Sequence, residues 1–429
     1  MFFTVSGGPY GLEPVLNNVG GDVALLLIFL IPVVWSLPAI LMVLELNSMM
    51  PINGGYYQWV KTALGLRWGF LEGWWSWIFT FVDLAIYPVL FVQYLSFFFP
   101  DIEPYRVVIC LAIVWLGAGM NLLGIVPVGR SSVVLGIAVL VPFLILFVQG
   151  VINGGGVAAP AAPHASMPFG PTAFAMGMFT VMWNYLGWDN GSPFAGEVDE
   201  PVRSYGHSLA VSFLLIIAAY AISIFTASMT GMNAEMLEQD GFPALGLHIG
   251  GWWLGAMVSV GGMASTLGLF LSILLSISRV PASMAEDGLL PHGISRLHKK
   301  FGVPHVSILL CATVVSGMVL WTFGELLIID VTLYSAALFL EFVSLITLRV
   351  RAPERHRPFR IPLNIPGLIV MTSIPAVCLG VALYGLLSET DLHAGATLFA
   401  AGIILSGPAA WAILVRRKPH LKSATGTIP

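Results

Sequence analysis

Apolar runs of about 20 or more residues, the length a helix needs to cross a bilayer, recur along the chain. They lie near residues 23–48, 69–99, 105–124, 131–152, 172–198, 207–231, 252–278, 305–323, 326–348, 367–387 and 393–415, with short polar or Gly/Pro-containing stretches between them. One more apolar start, Met1 to Val5, stops at "TVSGGPYGLEP", Thr4 to Pro14. Counted as the remainder of a first span, it brings the number of spans to about twelve. With so few residues ahead of the interruption, the pattern reads as a first helix whose first half is missing. A signal peptide does not account for this segment, because a basic n-region and a continuous apolar h-region are both absent.

The 429 residues are 57% hydrophobic and 9% charged, far too apolar for a soluble domain of this length. The fold class is therefore all-α, a polytopic membrane protein. Lys and Arg set its orientation. With a cytoplasmic N-terminus, the inner loops receive Lys61, Arg67, Arg130, Arg203, Arg279, Arg296, Lys299, Lys300, the cluster Arg349, Arg351, Arg355, Arg357 and Arg360, and the tail's Arg416, Arg417, Lys418 and Lys422. Of the 18 basic residues only Arg106 then falls outside, and adding or dropping one central span would scatter the rest. A multi-pass protein of the plasma or inner membrane, with both termini in the cytoplasm, is the expectation. The net charge of −4 is slight, and topology explains the basic residues better than nucleic acid does. Cys110, Cys311 and Cys378 lie in separate apolar runs without metal-like spacing and read as small core residues. Gly150 to Pro171, rich in Gly, Pro and Ala, reads as a flexible outer connector.

A second interruption lies in the sixth span, at "WNYLGWDNGSPFAGEVDEP", Trp183 to Pro201. Broken helices at membrane depth are tolerated only where the freed backbone faces protein or a watery cavity, and paired breaks in two halves of a chain point to a substrate site. Gly7, Pro9, Tyr10 and Glu13 match Gly191, Pro193, Phe194 and Glu197 at identical spacing, although a register one turn earlier, near Tyr185 to Asp189, is an alternative.

Carboxylates inside these runs need a reason, since each costs about 2.5–3.5 kcal/mol on insertion scales. Asp83 lies about 20 Å along its helix from either end of its span, Glu13 about 14 Å below the outer loop, and Asp189 is central in the sixth span. The bland role for each is a buried hydrogen-bonding partner, and Glu13 in particular can cap the outer half-helix directly. Three acids at one level otherwise suit a cationic solute or a proton carrier. Tyr87 lies one turn from Asp83, and Trp183, Tyr185 and Trp188 surround the second break, where aromatic faces would complement a cation. Glu45, Glu72, Glu197 and Glu341 fall nearer the cytoplasmic side, where gating or loop anchoring is the expectation.

"ELNSMMPINGGYYQWV", Glu45 to Val60, "SRVPASMAEDGLLPHGISRLHKKFGVP", Ser278 to Pro304, and "LRVRAPERHRPFRIPL", Leu348 to Leu363, resemble connections of the amino acid-polyamine-organocation (APC) superfamily. "VSGGPYGLE" and "VDLAIYPVLF", Val82 to Phe91, are most similar to its polyamine and amino acid uptake branch known from plants. The resemblance implies ten core helices in two inverted five-helix repeats, about 1–152 and 172–348, with discontinuous helices 1 and 6. Two peripheral helices at about 367–415 and a basic tail at 416–429 would complete a single transporter domain working by alternating access. It also implies that the missing half of helix 1 belongs to the inner gate. Trp183 matches a gating aromatic six residues before an acid in helix 6. Sodium sites in this fold need helix 8 hydroxyls, and Ser272 and Ser276 are available.

The candidate substrate site takes Ser6, Gly7, Gly8, Pro9, Tyr10 and Glu13 from the first break, Asp83 and Tyr87 from the third span, and Trp183, Asn184, Tyr185, Trp188 and Asp189 from the second break. The first break presents N–H groups at a positive half-helix end, which in amino acid carriers holds a carboxylate. Glu13 partly cancels that attraction and Pro9 removes one donor. The reading is thus a secondary transporter for polyamines or cationic amino acids, with a neutral or broad-range amino acid permease, or an exchanger, as the alternative. Proton symport is expected, carried by Asp83, Asp189 or Glu13, with sodium as the other coupling ion. No cofactor or metal is called for. An enzyme is disfavoured because none of the nine histidines falls in the middle of a span and no cysteine pairs with one. A channel is disfavoured because the polar features concentrate at the midplane instead of lining a continuous pathway.

Overall fold

The computed structural model describes residues 1–153, 170–230, 232, 234–320, 323–387 and 394–422. Most of the Gly/Pro/Ala connector and residues 423–429 of the basic tail lie outside the described residues. Among the described residues the regular secondary structure is all helical, without strands: α1 Phe2–Val5, α2 Glu13–Ile31, α3 Leu37–Met49, α4 Gly55–Leu64, α5 Leu66–Leu95, α6 Arg106–Leu122, α7 Ile125–Asn153, α8 Pro171–Asn184, α9 Pro201–Thr230, α10 Ala234–Gly250, α11 Trp252–Ile277, α12 Arg279–Glu286, α13 His305–Met318, α14 Phe323–Arg351, α15 Ile365–Leu387 and α16 Ala394–Arg417.

Nine helical stretches among the described residues are long and apolar enough to cross a membrane. One of them, Glu13–Met49, has 37 residues, about 55 Å of helix, nearly twice the hydrocarbon core. Gly20, at φ 72° and ψ 167°, divides it, so its first two turns continue α1 beyond the break and the remainder forms the next span. The short apolar helix α13 and the interrupted segment begun by α8 account for the other expected spans. α5, α11 and α14 form the buried centre, whereas α6, α7, α15 and α16 turn apolar side chains such as Leu116, Val134, Val377 and Leu398 outward, as lipid contact requires.

Between α2 and α3 the chain makes a π-helical turn, Pro32–Ser36. Pro32 has no N–H to give the Ile28 carbonyl one helical turn earlier. The Tyr185 hydroxyl supplies the missing donor at 3.0 Å, and Ser36 Oγ donates to the Tyr185 carbonyl at 3.4 Å. A proline defect in one helix is thereby repaired by the break in another.

The two ends of the bundle are tied differently. At the end carrying α4 and α12, buried Glu45 on α3 accepts from Arg349 Nε, from Arg349 Nη2 at 2.6 Å and from the Ile361 N–H at 2.9 Å, with Arg357 Nε 3.3 Å away. Arg357 also caps α14, donating to the carbonyls of Leu348 (2.9 Å) and Ala352 (2.8 Å). Arg279 binds Glu197 through Nε at 2.9 Å and Nη2 at 3.2 Å. Asp287 receives Tyr57 (2.5 Å) and Lys61 (2.7 Å). Burial, and then the Asp287 charge, push the Tyr57 phenol far above its ordinary value, so it remains a donor. At the opposite end, α10 covers the start of α2 and the end of α5. There the Glu13 carboxylate accepts from the Gly11 N–H (2.6 Å), the Tyr94 hydroxyl (3.1 Å) and the Phe242 N–H (3.4 Å).

Removing one partner of a buried ion pair strands the other and costs roughly 3–5 kcal/mol. Arg349→Met is therefore expected to lower the melting temperature of the detergent-solubilised protein sharply, whereas Arg355→Met, at an exposed position, should leave it unchanged. Thermal unfolding followed by size-exclusion fluorescence distinguishes them, and equal melting temperatures would refute a structural role for the Glu45 clamp.

Candidate functional site

Glycine and proline place the first break. Gly8 (φ 94°) and Gly11 (φ 90°) adopt left-handed backbone that a side chain would disfavour, and Pro9 between them removes a donor. The freed N–H groups are taken up locally: Gly8 donates to Ser6 Oγ at 3.0 Å and Gly11 to Glu13. In the second break α8 ends at Asn184, Gly187 turns at φ 81°, and the chain resumes only as a 3-10 turn, Ser192–Glu197. The interruption thus follows the earlier of the two registers open in the sequence.

The breaks face each other. A methyl group at Gly187 would lie 2.5 Å from the Thr4 carbonyl oxygen, and one at Gly11 2.7 Å from the Trp183 ring. Asn190 donates to the Thr4 carbonyl at 3.2 Å, and Asn184 to the Gly11 carbonyl at 3.4 Å. Tyr220 on α9 joins them, its hydroxyl 2.5 Å from Ser6 Oγ and 2.8 Å from the Asn184 carbonyl oxygen. A carbonyl can only accept, so the single Tyr220 proton goes to Asn184 and Ser6 donates to Tyr220. The result is a continuous hydrogen-bonded chain from the Gly8 N–H to the Asn184 carbonyl.

Between the breaks lies a cavity of about 30 Å³, space for a water or two. Its wall combines both breaks with Phe79, Asp83 and Tyr87 of α5, Tyr220 of α9, Leu269 and Ile273 of α11, and Asp330 and Tyr334 of α14. The Asp83 carboxylate accepts from Tyr87 at 2.5 Å and also interacts with the Trp183 side chain. Asp330 is 1% exposed and its Oδ1 has no hydrogen-bond partner. None of the cavity-lining residues is Lys, Arg or His. Two buried carboxylates thus face one aromatic-walled space without a counter-charge, which equips it to take a cation.

Of the residues singled out from the sequence, Ser6, Gly7, Tyr10, Asp83, Tyr87, Trp183 and Asn184 line this cavity. Gly8 and Pro9 shape the first break behind them, and Tyr10 also fixes itself through a 2.6 Å bond to the Val258 carbonyl. Glu13 is held in the clamp beneath α10. Tyr185 serves the π-helical turn, and Trp188 is buried against Phe213 on α9. Asp189 lies just beyond the wall, where Tyr334 donates to it at 2.6 Å. The Ser265 hydroxyl of α11 lies beside Gly7 in the first break. Asp330, Tyr220, Tyr334 and Asn190 were not singled out. Asp330 carries the same signal as Asp83, a carboxylate inside an apolar run, but stands only four residues into it.

The amino acid permease family matches residues 1–407. A probable polyamine transporter of Arabidopsis thaliana is 34% identical over 385 residues, 88% of this chain and 78% of the relative. A second Arabidopsis polyamine transporter is 30% identical over 407 residues, 94% and 81% of the two chains. A polyamine transporter of Oryza sativa subsp. japonica is 33% identical over 396 residues, 89% and 72%. The family and these relatives are named for transport and not for catalysis.

Contact between the breaks depends on the missing side chain at Gly187. Gly187→Ala adds a clash with Thr4 to an unfavourable φ, and uptake is expected to fall severely at matched membrane levels. Gly206→Ala, in α9 with nothing within 4 Å of the added carbon, should transport normally. If Gly187→Ala also transports normally, the close approach of the two breaks is not required.

Proposed function

We propose, from the premise that this chain belongs to the amino acid permease family, that it takes up polyamines or cationic amino acids through the cavity between its two broken helices. The observation that carries this reading is the pair of buried carboxylates, Asp83 and Asp330, lining one aromatic-walled cavity that contains no basic residue. The names of the similar plant proteins support the same solute class. A neutral solute would leave both acids unmatched in low dielectric, whereas a solute with two amines offers each a charge-assisted contact.

Transport would proceed by alternating access. The cavity is about 30 Å³, far below the roughly 300–1,000 Å³ of small-molecule sites, so occupancy requires the surrounding helices to move. With the basic end in the cytoplasm, the α10 clamp would close the outer side and the Glu45, Glu197 and Asp287 ion pairs the inner side. Coupling to protons is the reading favoured by carboxylates that lack a permanent counter-charge. A second reading, an amino acid permease of broader range, draws on the first break, which borders the cavity through Ser6, Gly7 and Tyr10 and is the kind of helix break at which carriers hold a substrate carboxylate.

Asp83→Asn keeps the shape of the side chain while removing its charge. Loss of a charge-assisted contact of about 1.5–3 kcal/mol should weaken putrescine and spermidine binding roughly ten- to hundredfold, with a smaller effect on any neutral amino acid. Competition against labelled putrescine at matched surface expression reads this directly. Unchanged affinity for putrescine, spermidine and arginine would make Asp83 structural and remove the main support for a cationic solute.

A further inference from the structure

Below the cavity, the seam between α5 and α14 carries a second layer of acids. Glu72 precedes Asp83, and Glu341 follows Asp330, by the same eleven residues: three helical turns, about 16 Å, returning to the same helix face. The helices run antiparallel, so both steps lead toward the end that carries α4. Phe79 and Tyr334 meet edge-to-face between the two layers, with ring centroids 5.3 Å apart. Asp189, bonded to Tyr334 at 2.6 Å, links the layers from the second break.

The lower layer is closed to solvent, with Glu72 0%, Glu341 1% and Asp189 2% exposed. Ser76 donates to Glu72 Oε1 at 2.9 Å, but Glu72 Oε2 and both Glu341 oxygens lack any partner of ordinary donor chemistry. The neighbour Glu341 does meet within hydrogen-bonding reach is the Asp189 carboxyl group. Two carboxylates can only accept, so that contact is bonding only when one of them carries a proton. An independent observation points the same way. Tyr56 of α4 is fully buried, faces Asp189, Glu72 and Glu341, and its hydroxyl has no partner.

The groups facing this layer are Glu72 and Ser76 from α5, Tyr56 from α4, Asp189 from the second break, Tyr334 from α14 and Cys311 from α13. None is basic. Arg349, Arg279 and Lys61, nearer the end of the bundle, are held by Glu45, Glu197 and Asp287. Among the described residues no three His, Cys, Asp or Glu groups converge closely enough to ligate a metal ion. The layer therefore suits the smallest cation.

We infer that the Glu341–Asp189 carboxyl pair, with Glu72 and the Tyr56 hydroxyl beside it, is the proton-carrying site of the transporter, separate from the acids that meet the solute. This inference rests on the proton-symport reading and assigns that role to a layer about three turns below Asp83 and Asp330. Tyr334, which touches both the cavity wall and Asp189, is the side chain through which a bound solute would be sensed. A solute that draws Tyr334 toward the cavity would weaken its bond to Asp189 and change the hold of the pair on its proton.

The test uses the full chain in proteoliposomes with a pH-sensitive dye inside and putrescine as the probe. Wild-type uptake is expected to acidify the interior. In Glu341→Gln, counterflow of labelled putrescine should persist while acidification is lost, and counterflow should no longer respond to pH. Glu72→Gln, which keeps the Asp189 contact, should shift the pH dependence without abolishing it, and it carries the test if Glu341→Gln does not assemble. Absence of acidification in the wild type sinks the symport reading itself. Acidification that persists unchanged in both variants overturns this inference while leaving symport intact. Loss of counterflow together with acidification in a correctly assembled Glu341→Gln also overturns it, because the layer then belongs to solute binding.

Discussion

Everything in this structure follows from one demand: backbone polar groups released by a broken helix inside a bilayer must find partners within the protein. Two breaks at the same depth meet that demand together. Tyr220 joins Ser6 to Asn184, Asn190 reaches the Thr4 carbonyl and Asn184 reaches that of Gly11. The helices α5, α9, α11 and α14 must then close around the paired breaks, since lipid cannot. The small polar cavity at the centre is the space left by that closure. Even the proline defect in the second span is drawn in, through the bond from Tyr185 to the Ile28 carbonyl.

Charge is arranged by the same logic of partners. Basic residues collect at one end, where buried Glu45 and the partly exposed Glu197 and Asp287 fix connecting segments to helix ends. The central acids have no such partners. Asp83, Asp330, Asp189, Glu72 and Glu341 are all buried, and their charges can be tolerated only with protons or mobile cations nearby. An interior of this kind is poorly suited to stability alone, and its unmet charge suits a protein whose central site is meant to be occupied intermittently.

The two ends of the bundle also differ in how they are fastened. Glu13, with three donors from three different elements, fastens the α10 cover over the first break. The opposite end is fastened by ion pairs, of which Glu197–Arg279 and Asp287–Lys61 have partly exposed carboxylates and are less enclosed than Glu13 with its two backbone N–H donors. A closed central cavity between two differently tied ends fits the alternating access proposed for this chain.

The sequence by itself determined the membrane spans, the two breaks and the exceptional character of Asp83. Apolar length, helix-breaking residues and a charge at mid-span are each local, and hydrocarbon penalises departures from them heavily enough to leave a mark on the chain. Only the tertiary structure decided which acids share a space. Glu13 and Asp83 look alike in sequence, but one is consumed by Gly11, Tyr94 and Phe242 while the other faces the cavity. Asp330 lies so near the start of its apolar run that distance along the helix puts it close to the surface, and neighbouring helices bury it at the level of Asp83. The placing of Glu72 and Glu341 in one layer depends on the antiparallel register of α5 and α14. That register is set by side-chain packing between helices far apart in the chain, and spacing within either one does not contain it.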